Sequence, residues 1–176
     1  FHSFERGYDC IEPRAVAKNV ITIGAAYQTI SNTVEDEWPA DFSSFGPTDD
    51  GRIKPDLVAH GVGIISLAND TYTEGVSKSG TSMAAPAAAG IGALVLQEAD
   101  NLGISVSAAG MKALLIQTAR DIPSFESGYP LGETFNGPDF RTGWGAIDAE
   151  AAIDLLRHGS LQQGTLTIPN GEDIVW

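Results

Sequence analysis

An α/β fold with a mostly parallel sheet is predicted by three observations on this 176-residue chain. Residues 20–25 form a short run rich in β-branched side chains without strict polar alternation, which is typical of a strand buried on both faces. Residues 84–96 form the longest apolar helical segment, and a polar turn that contains glycine leads directly into it. The length suits one core, because a chain of this size is too short for two well-buried domains.

The first half of the chain is expected to supply short strands joined by polar loops. Short apolar runs bounded by turn-forming or polar residues predict strands at 20–25, 42–45, 57–59 and 63–67. Residues 1–17 show no clear period and are interpreted as a loop. Residues 27–41 are polar and acidic, and residues 72–77 lead into the polar turn that precedes the apolar helix.

The second half is expected to be mainly helical. Helices are predicted at 84–101, at about 108–120 and at 149–157. The first contains many alanines and glycines, which let neighbouring backbones approach closely, so we expect it to be buried on most sides. Ser107 and Asp148 precede the second and third helices as N-caps. Between these two helices, residues 123–140 are predicted to form a long irregular loop.

The composition argues against several classes of partner. The formal net charge is −13 and the pI is near 4.3, whereas binding to nucleic acid or to an anionic membrane needs clustered Lys and Arg. No apolar run is long enough to span a bilayer, and residues 1–10 do not have the pattern of a signal peptide. The single cysteine, Cys10, cannot form an internal disulfide, so cysteine usage does not indicate a compartment.

Ser82 is the candidate for chemistry, because it lies where the polar turn meets the apolar helix. The first N–H groups of a helix have no partners within it and carry partial positive charge, so an anion formed beside Ser82 would be stabilised without a metal. An isolated serine before an apolar run is also an ordinary N-cap. The residues around it therefore decide between the two interpretations.

Those residues resemble the subtilisin-like serine proteases. Residues 80–86, Gly-Thr-Ser-Met-Ala-Ala-Pro, resemble the nucleophile motif of that family, in which the serine between Thr and Met attacks a peptide carbonyl. Residues 42–47 and 51–59 resemble the segment that precedes the nucleophile, and residues 143–149 resemble a turn that follows it. The resemblance extends from about residue 16 to about residue 156.

The resemblance implies a subtilisin-like three-layer fold and a serine endopeptidase that forms an acyl-enzyme on Ser82. It assigns the backbone N–H of Ser82 to the oxyanion hole and implies a protein or peptide substrate and a secreted or extracytoplasmic location. The chemistry needs no cofactor. A structural calcium ion is compatible with the family, but no loop has the regular ligand spacing of a calcium hand, so no residue is assigned to it, and substrate-binding residues also stay unassigned.

The general base of the family is not found in this sequence. His2, His60 and His158 all lack the His-Gly-Thr-His context that carries it, and the orienting Asp and the oxyanion Asn would also lie upstream. We therefore expect residues 1–158 to be the C-terminal half of the catalytic domain, without its N-terminal half and inactive alone. The partner required is the N-terminal remainder of that domain. Residues 159–176 are predicted to be a linker and the start of a C-terminal β-domain.

Other residue roles and other functions fit the sequence less well. His60 stands where the family usually has proline, which indicates a loop substitution, and Asp56 is interpreted as a structural carboxylate that bonds backbone donors. A non-catalytic interaction module on the same fold is the alternative function. An α/β-hydrolase esterase is excluded, because the sequence around Ser82 does not match Gly-x-Ser-x-Gly.

Overall fold

The computed structural model describes residues 10–27, 37–69, 73–122 and 137–159, together with two short strands nearer the C-terminus. After a short 3-10 helix, Pro13–Val16, the elements in chain order are β1 (Ile23–Ala26), β2 (Leu57–His60), β3 (Ile64–Leu67), β4 (Gly75–Lys78), α1 (Thr81–Asn101), α2 (Ala108–Gln117), α3 (Ala149–Arg157), β5 (Thr165–Thr167) and β6 (Asp173–Val175). The predicted α/β class is confirmed. Within the described ranges, no helix is both long enough and apolar enough to cross a bilayer.

The central strands β1 and β2 are parallel, in the register that pairs Ile23 with Leu57 and Ala26 with His60. A parallel bridge between Val58 and Ala146 extends this pair. The other two strand pairs in the described parts, β3 with β4 and β5 with β6, are antiparallel. The parallel pairing expected from the sequence therefore belongs to the centre of the fold.

Both faces of β2 are buried. Leu57 packs with residues of the three helices in one cluster: Val95, Ala99, Leu114, Leu115, Ala152 and Leu156. Val58 points to the opposite face, where it packs with Ala26, Ile122 and Ala146. A third cluster joins the two strands to the first turns of α1 through Ala25, Ala40, Ala59, Ala84 and Ala88. The core therefore fixes α1 against the sheet at both ends of the strand pair.

The two predicted caps are confirmed. The Ser107 hydroxyl accepts a hydrogen bond from Gly110 N at 3.0 Å, and Asp148 Oδ1 accepts one from Ala151 N at 2.9 Å. Each side chain thus satisfies a backbone donor that the helix leaves without an internal partner.

The strand predicted at residues 42–45 is wrong. This segment pairs with no strand in the described part of the chain. In a paired strand, a backbone carbonyl would accept the hydrogen bond of Ala25 N in β1. Here the Ser43 hydroxyl accepts it instead, at 2.9 Å. Phe45 N donates to Cys10 Sγ at 3.1 Å instead of to a neighbouring strand. The segment is held by individual bonds to β1 and to Cys10.

The prediction that the first helix is buried on most sides is also wrong for the described residues. Only Ala84, Ala88, Val95 and Ala99 of α1 are buried. The opposite side is exposed although it is apolar, and it consists of Ala85, Ala87, Ala89, Gly90, Ala93, Leu94 and Leu96. We call these seven residues the open face of α1.

Asp56 lies at the centre of a buried ionic network. Its carboxylate accepts hydrogen bonds from Thr22 N at 2.7 Å and from Lys54 Nζ at 2.6 Å, and Lys112 Nζ of α2 lies 2.7 Å from its second oxygen. The Lys54 side chain is only 2% exposed, and its burial lowers the pKa of its ammonium group while the neighbouring Asp56 raises it. The network ties the segment before β1 to β2 and α2, as expected of a structural carboxylate.

We expect Asp56→Asn to lower the free energy of unfolding by about 3–5 kcal/mol, because it leaves the buried Lys54 ammonium without its counter-charge. Urea unfolding of the two proteins measures this loss. Asp50→Asn is the matched control, since Asp50 pairs with Arg52 at the surface and should leave the unfolding midpoint close to that of the wild type. Equal midpoints for the Asp56 and Asp50 variants would contradict a structural role for the network.

Candidate active site

Ser82 is the second residue of α1, and its side chain is exposed. The preceding Gly80 forms the N-cap, and its carbonyl accepts hydrogen bonds from Met83 N at 3.0 Å and Ala84 N at 3.3 Å. Among the described residues, no acceptor binds the backbone N–H of Thr81 or of Ser82 itself. Two donors at the positive end of a 21-residue helix are therefore available to an anion formed at the Ser82 hydroxyl.

The turn before Ser82 is attached to the carboxyl edge of the two parallel strands. Gly61, which follows β2, donates to Ala26 O of β1 at 3.1 Å and accepts from Gly80 N at 2.8 Å. A Cβ atom at position 61 would come within 2.8 Å of both the Ala25 Cβ and the Gly80 carbonyl oxygen, so only glycine allows this close approach. The rigid sheet thereby positions the start of α1.

Pro86 lies inside α1 and has no N–H to donate to the Ser82 carbonyl four residues earlier. The helix nevertheless continues unbroken from Thr81 to Asn101. Because Ala84 is fully buried against the strand pair, the first turn is held by packing as well as by hydrogen bonds.

No histidine in the described part of the chain hydrogen-bonds to Ser82. His60 is the last residue of β2 and is half-buried, whereas His158 caps α3 with its Nδ1 2.6 Å from Asp154 O. His2 lies outside the described residues. That the base of Ser82 lies outside this sequence stays a prediction.

The described residues contain no group of three or more His, Cys, Asp or Glu side chains placed to hold a metal ion. Several acidic residues of the described ranges pair with cations instead, for example Asp50 with Arg52 and Glu98 with Arg157. No described residue is therefore assigned to the structural calcium ion that the family resemblance allows.

Sequence reasoning missed a cavity of about 420 Å³ lined by Tyr27, Trp38, Pro39, Asp41 and Arg141. Its lining comes from three separate parts of the chain, so no contiguous motif marks it. The one sequence feature that could have indicated the cavity is the pair of aromatic residues, Tyr27 and Trp38, on either side of a polar, acidic segment. Their proximity depends on the bridge between Ala26 and Pro39, which a local pattern does not reveal.

Comparison with known proteins identifies proteases as relatives of this chain. The model of the subtilase family matches residues 8–145 of this chain. Serine protease AprX of Bacillus subtilis (strain 168) is 42% identical over 99 residues, which cover 49% of this chain and 22% of the relative. Minor extracellular protease Vpr of the same organism is 34% identical over 146 residues, covering 78% of this chain and 17% of the relative.

Solved structures agree with the sequence comparison. The CspB protease of Clostridium perfringens superposes with a TM-score of 0.66 at 29% identity, covering 85% of this chain and 29% of that chain. This chain thus spans about a fifth of the length of the two curated relatives and less than a third of the solved one.

Proposed function

This chain belongs to the subtilase family of serine proteases, and we propose that Ser82 is its catalytic nucleophile. The observation that carries the proposal is the exposed hydroxyl of Ser82 at the start of α1, beside two backbone N–H groups without acceptors in the described chain. Ser82 would attack a peptide carbonyl, and the tetrahedral oxyanion would accept a hydrogen bond from the Ser82 N–H. Water would then hydrolyse the acyl-enzyme.

The base that activates Ser82, the acid that orients it and a second oxyanion donor come, in this proposal, from the N-terminal remainder of the catalytic domain. A serine hydroxyl is a weak nucleophile without such a base, and the described histidines are bonded elsewhere or lie in β2. The short span relative to AprX and Vpr supports a longer functional unit. Residues 1–158 would form its C-terminal half.

The open face of α1 is the surface on which we place this remainder. Leu94 and Leu96 are each about half exposed, at 51% and 50%, and small residues surround them. A contiguous apolar surface of this kind in a soluble protein usually marks an interface. Packing of the remainder here would bury α1 on both sides and bring a base towards its first turn.

The substrate class proposed is protein or peptide, without nucleic acid or membrane as a partner, in keeping with the net charge of −13. The proposed chemistry uses no cofactor, since the charge that develops is stabilised by backbone donors. An extracytoplasmic location is proposed because one relative is named an extracellular protease. Residues 159–176 would begin a β-domain, which the antiparallel pairing of β5 with β6 supports.

A non-catalytic interaction module is the weaker alternative. Such a module has no need for an exposed serine with vacant N–H donors beside it. An activated nucleophile, in contrast, reacts with electrophiles that leave ordinary serines unchanged.

Labelling with a biotinylated fluorophosphonate tests the proposal. In the full-length protein, we expect the Ser82 oxygen to displace fluoride and form a phosphonate ester, which peptide mass spectrometry would locate on Ser82. Ser77→Ala is the matched control, because Ser77 is also exposed but lies in β4 rather than at a helix start. Labelling that survives Ser82→Ala, or that is lost in Ser77→Ala, would contradict the assignment.

A further inference from the structure

We infer that the cavity lined by Tyr27, Trp38, Pro39, Asp41 and Arg141 is a substrate subsite that binds a large apolar or aromatic side chain of the peptide. The inference rests on the proposed function of Ser82, and it adds a determinant of specificity at some distance from the bond that is cleaved.

One wall of the cavity, formed by Tyr27, lies at the same edge of the sheet as Ser82. Tyr27 directly follows β1, and Ala26 is linked through Gly61 to Gly80 by two successive backbone hydrogen bonds. Since hydrogen-bonded strands are about 4.8 Å apart, Tyr27 starts roughly 10 Å from the nucleophile turn. An extended peptide rises about 3.3 Å per residue, so a side chain about three to five residues from the scissile bond would reach the cavity.

The walls of the cavity are held in place before any ligand arrives. Tyr27 N donates to Trp38 O at 2.9 Å, and Ala40 N donates to Ala25 O at 2.8 Å. These bonds, together with the bridge between Ala26 and Pro39, fix the two aromatic residues side by side. A site that is already formed loses little entropy on binding, which favours affinity.

The chemistry of the lining selects an uncharged side chain. Tyr27 and Trp38 are large rings that remain 41% and 39% exposed, so each offers apolar surface that a ligand can cover. Asp41 and Arg141 carry opposite charges, so the lining has no net charge that would favour a charged side chain. The guanidinium of Arg141 also lies 5.4 Å from the centre of the Phe45 ring. This cation–π contact is made within the protein.

The volume of about 420 Å³ falls within the range of roughly 300–1,000 Å³ that is usual for small-molecule sites. A single aromatic side chain with the adjoining backbone fits such a space. Burial of one Phe side chain in place of Ala should therefore improve binding by about tenfold or more.

Two series of measurements on the full-length protein test the inference. The probes are fluorescein-labelled decapeptides that carry Phe, Leu, Ala, Lys or Glu at one test position and are otherwise identical. Separate sets place this test position three, four or five residues from the scissile bond, on either side of it. Fluorescence anisotropy with Ser82→Ala gives affinity without cleavage, and kcat/KM of the wild type gives the preference in catalysis. At one position we expect Phe and Leu to exceed Ala by about tenfold.

Trp38→Ala and Tyr27→Ala, each introduced beside Ser82→Ala for binding, should reduce this preference to about twofold or less while the Ala peptide binds as before. Trp144→Ala is the matched control, because Trp144 is equally exposed but does not line the cavity. Thermal unfolding identifies any variant that fails to fold, and the other aromatic variant then decides. A preference for Lys or Glu, no preference at any position, or a preference that survives both variants would overturn the inference.

The two proposals fail in different ways. If the wild type cleaves no peptide while Ser82→Ala binds Phe peptides through Trp38, the nucleophile assignment fails and the subsite stands. If the wild type cleaves all peptides equally well, the subsite fails and the nucleophile assignment stands.

Discussion

Replacing Ser82 by alanine in the full-length protein is expected to lower kcat for peptide hydrolysis by about four to six powers of ten. The change removes the oxygen that forms the acyl-enzyme but leaves the backbone N–H groups of Thr81 and Ser82 in place. Residual catalysis from binding and oxyanion stabilisation should remain above the rate in water. Hydrolysis of casein and of a fluorogenic peptide measures the loss.

The fold should be unaffected, because Ser82 is exposed and its hydroxyl makes no hydrogen bond to a described residue. Equal unfolding midpoints for the wild type and Ser82→Ala would show this. Ser66→Ala, which removes an exposed hydroxyl from β3, should retain full activity. Undiminished cleavage by Ser82→Ala would mean that another residue is the nucleophile.

The position of Ser82 was predictable because its determinants are local. A glycine-containing turn before an apolar run specifies a helix start, and Ser107 and Asp148 marked their helices in the same way. The helix begins at Thr81 rather than at Ala84, so that Ser82 lies within its first turn. The role of Asp56 was also predicted, although the two lysines that share it come from different parts of the chain.

The features that sequence reasoning missed depend on contacts between distant segments. Residues 42–45 have the composition of a strand, but the Ser43 hydroxyl accepts the hydrogen bond of Ala25 N. Strand propensity does not take account of a side chain that replaces a backbone acceptor in this way. Tyr27 and Trp38 become neighbours only through strand β1. The open face of α1 was predicted to be buried because its composition is that of a core helix, and composition alone does not reveal which sides of a helix pack against the rest of the described fold.

This chain alone is expected to cleave peptides several powers of ten more slowly than the full-length protein, since removal of a triad base has an effect of that size. Mixing the chain with the separately produced upstream part of the catalytic domain, or joining the two, should restore cleavage. The physical reason is that the upstream part would cover the open face of α1 and supply a base for Ser82. Initial rates on the fluorogenic peptide measure the recovery.

Variants of the open face separate assembly from folding. Leu94→Glu with Leu96→Glu places two charges on residues that are about half exposed in this chain, so the chain itself should unfold at the same urea concentration as the wild type. Burial of these charges against the upstream part would be costly, and both binding and restored cleavage should be lost. Leu102→Glu is the matched control, because Leu102 is 43% exposed but follows the far end of α1. High activity of the chain alone, or full recovery with the Leu94→Glu, Leu96→Glu variant, would refute the proposed division of the active site.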